Sequence, residues 1–253
     1  MSSDVLQAIL LGLLYWFAWS KIGYSFQHFM RQPITLSIPI GIIMGNLHDA
    51  VIIGATMELL YMGIIAPGAN IPADEGLAAC VAIPIALKTH MTPEMAVALA
   101  VPLGVMGIFI DQVRRTLNAF FVHLADKYAE DANTAGIYRC AGLWPLLLQL
   151  PLRVAPVFLA ALYGADAVSS FMKIVPRWII HGVEITGGVL PGLGFALTIM
   201  VIGRRSLLPY FLIGFFLVKY ASINIMSAAI FGTCVAFLHV HLQGKNNKGG
   251  DLF

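Results

Sequence analysis

Four carboxylates lie where carboxylates are hard to explain: Glu58, Asp74, Glu75 and Glu184, each in or beside a long apolar run. Glu58 sits in GATMELLYMG (54–63) with no Lys or Arg within ten positions on either side. Without a local cation it can accept from hydroxyl groups such as those of a sugar, bind a cation, or carry a proton. The other reading of Glu58 is a carboxylate buried against backbone donors or kept neutral by burial. Asp74 and Glu75 follow GIIAPGANIPA (63–73), which holds too much Gly and Pro for a continuous helix. As a loop entering a membrane, this stretch and its Asn70 would offer mixed donors and acceptors to a small polar ligand. As an external hairpin it would only carry two solvated acids. Glu184 lies near His181 and Arg177, so a local ion pair also accounts for it.

The other reactive side chains form no known constellation. His181 precedes GVE, and His239 and His241 are two apart, which turns them to roughly opposite helix faces and suits one metal ion poorly. Cys80, Cys140 and Cys234 are dispersed, form no CxxC, and read as small buried hydrophobes. No P-loop, HExxH or G-x-S-x-G is present. The expectation is no catalytic residue, metal or cofactor of the chain's own, with any transport driven by a partner or an ion gradient.

The elements that must hold these groups follow from composition. Of 253 residues 59% are hydrophobic and 11% charged, with mean hydropathy +0.84; soluble domains run near about 25% charged. No soluble fold of this length hides so much apolar surface, so lipid is the solvent, which excludes a soluble enzyme or a disordered scaffold. A net charge of +2 gives no reason to expect a nucleic-acid partner. The start MSSDVLQ is acidic and runs into apolar sequence, so it reads as a retained membrane helix, not a cleaved signal.

Most uncharged runs, such as 32–48, 59–73 and 140–152, are short and carry prolines. They predict an all-α polytopic membrane protein of roughly eight to ten segments, some of them half-helices or re-entrant. The stretches 54–76 and 182–205 each join an acid, glycines and proline, and read as paired broken elements of a pseudo-repeat. Residues 111–140 break the pattern: helically spaced apolar residues among charges predict an amphipathic helix on the membrane surface or leading out of it. The transmembrane domain is placed at 1–240 and a polar tail at 241–253. Arg114, Arg115, Lys127, Lys245 and Lys248 favour the cytoplasmic side, and Trp16, Trp19, Trp144 and Trp178 read as interfacial anchors.

The run 41-GIIMGNLHDAVIIGATMELLYMGIIAPGANIPADEGLAA-79 resembles the hallmark of a known family: the membrane subunit IIC of the mannose/fructose/sorbose-type bacterial sugar phosphotransferase system. RQP at 31–33, the 114–136 segment with ADK at 125–127, HGVEITGGVLPGLGFA at 181–196 and LPYFLIGF at 208–215 follow in the same order. The resemblance implies an inner-membrane subunit working with a second membrane protein, IID, and with cytoplasmic IIA and IIB carriers. Sugar would be phosphorylated by phospho-IIB as it arrives. It also implies a mobile core against a fixed scaffold in a trimeric assembly. By motif position Glu58 and Asp74 match hydroxyl acceptors of the family's sugar site. Ala66 stands where mannose-type members commonly hold Asn, with Asn70 the nearest replacement, and RQP stands for the common RP. An amino sugar or a ketose therefore fits as well as mannose.

Overall fold

A computed structural model describes residues 2–20, 26–62, 72–203, 207–221 and 223–248. Among these residues there is no strand. The helices are α1 (Ser2–Trp19), α2 (Gln27–Arg31), α3 (Pro33–Met44), α4 (Leu47–Tyr61), α5 (Glu75–Thr89), α6 (Pro93–Glu130), α7 (Thr134–Tyr138), α8 (Trp144–Ile174), α9 (Arg177–Ile202), α10 (Leu208–Tyr220) and α11 (Ile225–Lys248). A π-helical turn, Arg139–Leu143, joins α7 to α8. The chain divides into two compact units, Met1–Ile199 and Met200–Phe253.

The first unit is organised around α5. Its sequence, EGLAACVAIPIALKT, has no polar side, and every residue from Gly76 to Ala86 is buried. A helix apolar on all sides must be surrounded, and α1, α3, α4, α6 and α8 all pack against it. Ala78, Ala79 and Ala82 let those neighbours come close. At 15 residues α5 is about 22 Å long, short of the ~30 Å hydrocarbon core. α3 and α4, with 12 and 15 residues, are short too, as the broken-segment reading expects.

α3 and α4 form a helical hairpin that depends on glycine. Gly45 ends α3 at φ +74, in the left-handed region, and Asn46 caps α4 by accepting from the Asp49 N–H at 3.3 Å. A side chain on Gly54 would strike Ser37, and one on Gly41 would come within 2.8 Å of the Leu47 Cα.

Six of the thirteen prolines sit inside helices without breaking them. Pro39, Pro84, Pro102, Pro151, Pro156 and Pro191 lie inside continuous α3, α5, α6, α8 and α9. Lipid offers a freed carbonyl no alternative partner, so the helix persists and neighbours accommodate the lost bond. The short-run reading therefore understates element length: three helical stretches, 93–130, 134–174 and 177–201, are long and apolar enough to cross a membrane. The two stretches compared as a pseudo-repeat also differ locally. Residues 182–202 are one helix through Pro191, whereas the first stretch leaves α4 after Tyr61.

The amphipathic segment is not a separate surface helix. It is the continuation of α6, whose 38 residues span about 57 Å, well beyond a bilayer core. Its charged half thus leads out of the apolar part. In the second unit α10 packs on α11, which stays helical to Lys248, past the start of the expected tail. Tyr210 and His239 pair at 2.9 Å across an apolar groove of about 540 Å³. Cys80 and Cys140 are buried as expected, but Cys234, on α11, is exposed.

Candidate functional site

Three of the five sequence candidates meet where helix ends converge. α2 ends in Arg31, α3 begins at Pro33, α4 ends just after Glu58, and α5 begins at Glu75 behind its cap, Asp74. Glu58 is half-buried, and its Oε2 accepts from the Ile34 N–H at 3.3 Å. That N–H is one of the unpaired donors of the α3 N-terminus, where partial positive charge favours a carboxylate. Glu75 occupies the first turn of α5, half-buried, and interacts electrostatically with Arg31, Glu58 and Asp74. The segment joining α4 to α5 runs from residue 62 to residue 74. Asn70 and Ala66 belong to it and lie outside the described residues.

Asp74 is placed differently from the other two. It is fully buried and held from four elements. Its Oδ1 accepts from the Leu77 N–H of α5 at 2.9 Å and from Trp19 Nε1 of α1 at 3.3 Å. Its Oδ2 accepts from the Tyr15 hydroxyl at 2.7 Å and faces Arg153 Nη1 of α8 at 3.5 Å. Its backbone N–H donates to the Gly104 carbonyl of α6 at 2.8 Å, and Gly107 has no side chain where one would overlap the Asp74 Cβ. A carboxylate offers about four acceptor positions, and protein groups face all of them.

Arg153 completes this cluster. Its side chain is 0% exposed, Nη1 donates to Tyr15 at 2.7 Å, and its guanidinium lies 4.1 Å from the centre of the Trp19 ring. Nη2 is 3.8 Å from Asp111, which two neighbours on α6, Arg114 and Arg115, also engage at 2.7 Å. Arg31 stacks on the same Trp19 ring at 4.3 Å. Trp19 is therefore a buried bridge, not the interfacial anchor expected of it; Trp144 and Trp178 are exposed. Trp16 donates to the Leu146 carbonyl at 3.1 Å.

Glu184 is not brought to this place by any contact among the described residues. It lies on α9, 3.8 Å from His181, the local pairing that its sequence neighbours allow. Arg153, Tyr15 and Asp111 are absent from the sequence candidates. The available signal was the membrane cost of charge: Arg153 is a single cation between the uncharged runs 140–152 and 154–165, and the reasoning that singles out buried acids applies equally to it.

The helices and the site together define an integral membrane protein with acidic side chains gathered at helix ends inside a helical bundle. The family model described as "PTS system sorbose-specific iic component" matches residues 5–238, and the chain belongs to that family. It is 27% identical over 218 residues to the mannose-specific EIIC component of Escherichia coli (strain K12), covering 86% of this chain and 82% of that one. It is 28% identical over 222 residues to the sorbose-specific EIIC component of Klebsiella pneumoniae, with the same coverage. A structure described as the cryo-EM structure of the mannose transporter ManYZ and microcin E492 (MceA) complex contains a chain with TM-score 0.58 and 27% identity. The match covers 96% of this chain and 97% of that one. A second structure, described as that of a membrane protein, aligns with TM-score 0.82 at 27% identity over 96% and 98%.

Proposed function

We propose that this chain is the sugar-conducting subunit IIC of a phosphoenolpyruvate-dependent phosphotransferase permease in a bacterial inner membrane. The observation that carries the reading is the family match over residues 5–238. The meeting of Glu58 and Glu75 at the ends of α3, α4 and α5 supports it. A sugar is a ring of hydroxyls, each able to donate and to accept. Glu58 and Glu75 accept from them, Arg31 supplies donors, and Asn70 adds an amide from the intervening segment. Asp74 belongs to the same site as the anchor of that segment. Glu184, paired with His181, takes no part.

The chain works with a IID subunit in the membrane, in a trimeric assembly, and with cytoplasmic IIA and IIB. Phospho-IIB transfers its phosphoryl group to a hydroxyl oxygen of the arriving sugar, and the hydroxyl proton is released. This chain carries no phosphorylated residue of its own. The pairing with a second subunit is supported by the likeness to a chain of the ManYZ complex.

The test uses vesicles holding this chain and IID, supplied with phosphoenolpyruvate, the general carriers and IIB, and offered labelled mannose, fructose, sorbose and N-acetylgalactosamine. Accumulation of sugar phosphate that depends on IIB is expected. Free sugar driven by an ion gradient would overturn the reading in favour of a secondary transporter. In the same vesicles Glu58→Gln lowers uptake by about a hundredfold, the worth of two hydrogen bonds to a charged acceptor, while the complex still assembles. Normal uptake by that variant would remove Glu58 from the site.

A further inference from the structure

We infer that Arg153 and Tyr15 are positioning residues for sugar binding: through Asp74 they fix the N-terminal end of α5, and with it Glu75, against α1 and α8. The inference rests on the proposed role of Glu75 as a sugar acceptor.

Its basis is a cluster more costly than simple stability requires. A fully buried guanidinium is expensive unless its donors are satisfied. Yet Arg153 Nε and Nη2 have no hydrogen-bond partner among the described residues. The one hydrogen bond it makes among the described residues, at 2.7 Å, goes to the Tyr15 hydroxyl, whose own O–H donates to Asp74 Oδ2 at the same distance. The hydroxyl is thus a relay: the cation orients Tyr15, and Tyr15 orients the carboxylate. Trp19 works in parallel, covered by the Arg153 guanidinium while donating to the other Asp74 oxygen.

Asp74 in turn caps α5 and ties its own backbone to Gly104. Glu75, the next residue, is set by the same bonds. Any loosening of Asp74 therefore moves a proposed sugar acceptor, Glu75. α5 has every face buried from Gly76 onward, so the helix body is already fixed by packing. The polar cluster adds definition only at its N-terminal end, the end that meets the sugar. A group that merely held the bundle together would serve as well anywhere along α5.

Tyr15→Phe is the cleanest variant, because it removes one oxygen and keeps the ring. In the complex with IID the expected result is a KM for the accumulated sugar raised by up to about tenfold, the worth of one hydrogen bond to a charged group. Vmax at saturating sugar stays near that of the parent. Arg153→Lys, which keeps the charge but loses the planar fork, raises KM in the same way. The double variant is no worse than the worse single, because both act through Asp74.

A second readout needs no sugar. In a Cys234→Ser background, a cysteine introduced by Ala73→Cys reacts faster with a maleimide when Tyr15 is Phe. Unchanged KM or unchanged labelling in the assembled Tyr15→Phe complex overturns the inference. Failure of the parent to accumulate any sugar phosphate instead overturns the transport reading, and the labelling rate still decides whether Tyr15 positions this end of α5.

Discussion

At the residue scale the most constrained position is one without a side chain. Gly107 of α6 backs directly onto Asp74, and an added methyl would come within 3.0 Å of the Asp74 Cγ as well as overlapping its Cβ. Asp74 cannot retreat, because Tyr15, Trp19, Leu77 and Arg153 hold it from the other sides. Gly107→Ala should therefore cost about 2 kcal/mol by overpacking, read as a lower thermal inactivation midpoint of the purified complex. Gly142→Ala, which meets open space in the π-helical turn, should leave that midpoint unchanged. Equal midpoints for the two variants would contradict the packing described around Asp74. Sequence alone exposed Asp74 as anomalous, because an acid in an apolar setting is conspicuous by itself. Its surroundings were hidden, since Tyr15 is 59 positions away and Arg153 a further long step, 138 positions from Tyr15. Only folding distinguishes a carboxylate open to a ligand from one already encircled. Glu58 remained legible because its environment is local: α3 and α4 are adjacent in the chain, and the backbone donor that meets it is Ile34.

At the element scale the hairpin of α3 and α4 depends on one backbone conformation. Gly45 at φ +74 has no atom within 4 Å of where a methyl would stand, so a substitution there meets only conformational cost. Gly45→Ala should lower stability by about 1 kcal/mol, and Gly45→Asn by less, because asparagine tolerates the left-handed region. The order of their inactivation midpoints, with alanine lowest, is the check. The glycines and the shortness of these helices were readable before folding, whereas the prolines misled. A proline inside a helix removes one N–H and crowds the carbonyl four residues before it, but in a membrane bundle neighbouring groups satisfy the freed carbonyl and leaving the helix would free more backbone than lipid can serve. Pro102 and Pro156 therefore sit within helices of 38 and 31 residues. The charged stretch after Asp111 takes the second of its two readings, a helix leading out of the membrane. A change of composition marks where a helix leaves lipid, and the helix itself continues.

At the scale of the whole molecule, apolar side chains remain on the outside. Phe211, Phe215 and Phe216 on α10 and Phe231 and Phe237 on α11 are all exposed, as are Val189 and Leu193 on α9. Part of this surface faces lipid, and under the proposed function part of it receives IID. Co-expression with the cognate IID should therefore yield a complex that survives extraction in mild detergent, with an inactivation midpoint above that of this chain alone. An identical midpoint with and without IID would count against a stable pairing. Hydropathy made the membrane class plain at once. The division at residue 199 was not legible, because α9 crosses it without any shift in composition.

The enclosure of α5 has one more consequence. An ordinary helix keeps a free side, and substitutions accepted there leave a rhythm of tolerance along its sequence. From Gly76 to Ala86 no such side exists, so homologues should vary little there and without helical rhythm. Among distant relatives this short stretch would align when the outer helices no longer do, and it is the natural place to anchor a comparison between members that carry different sugars.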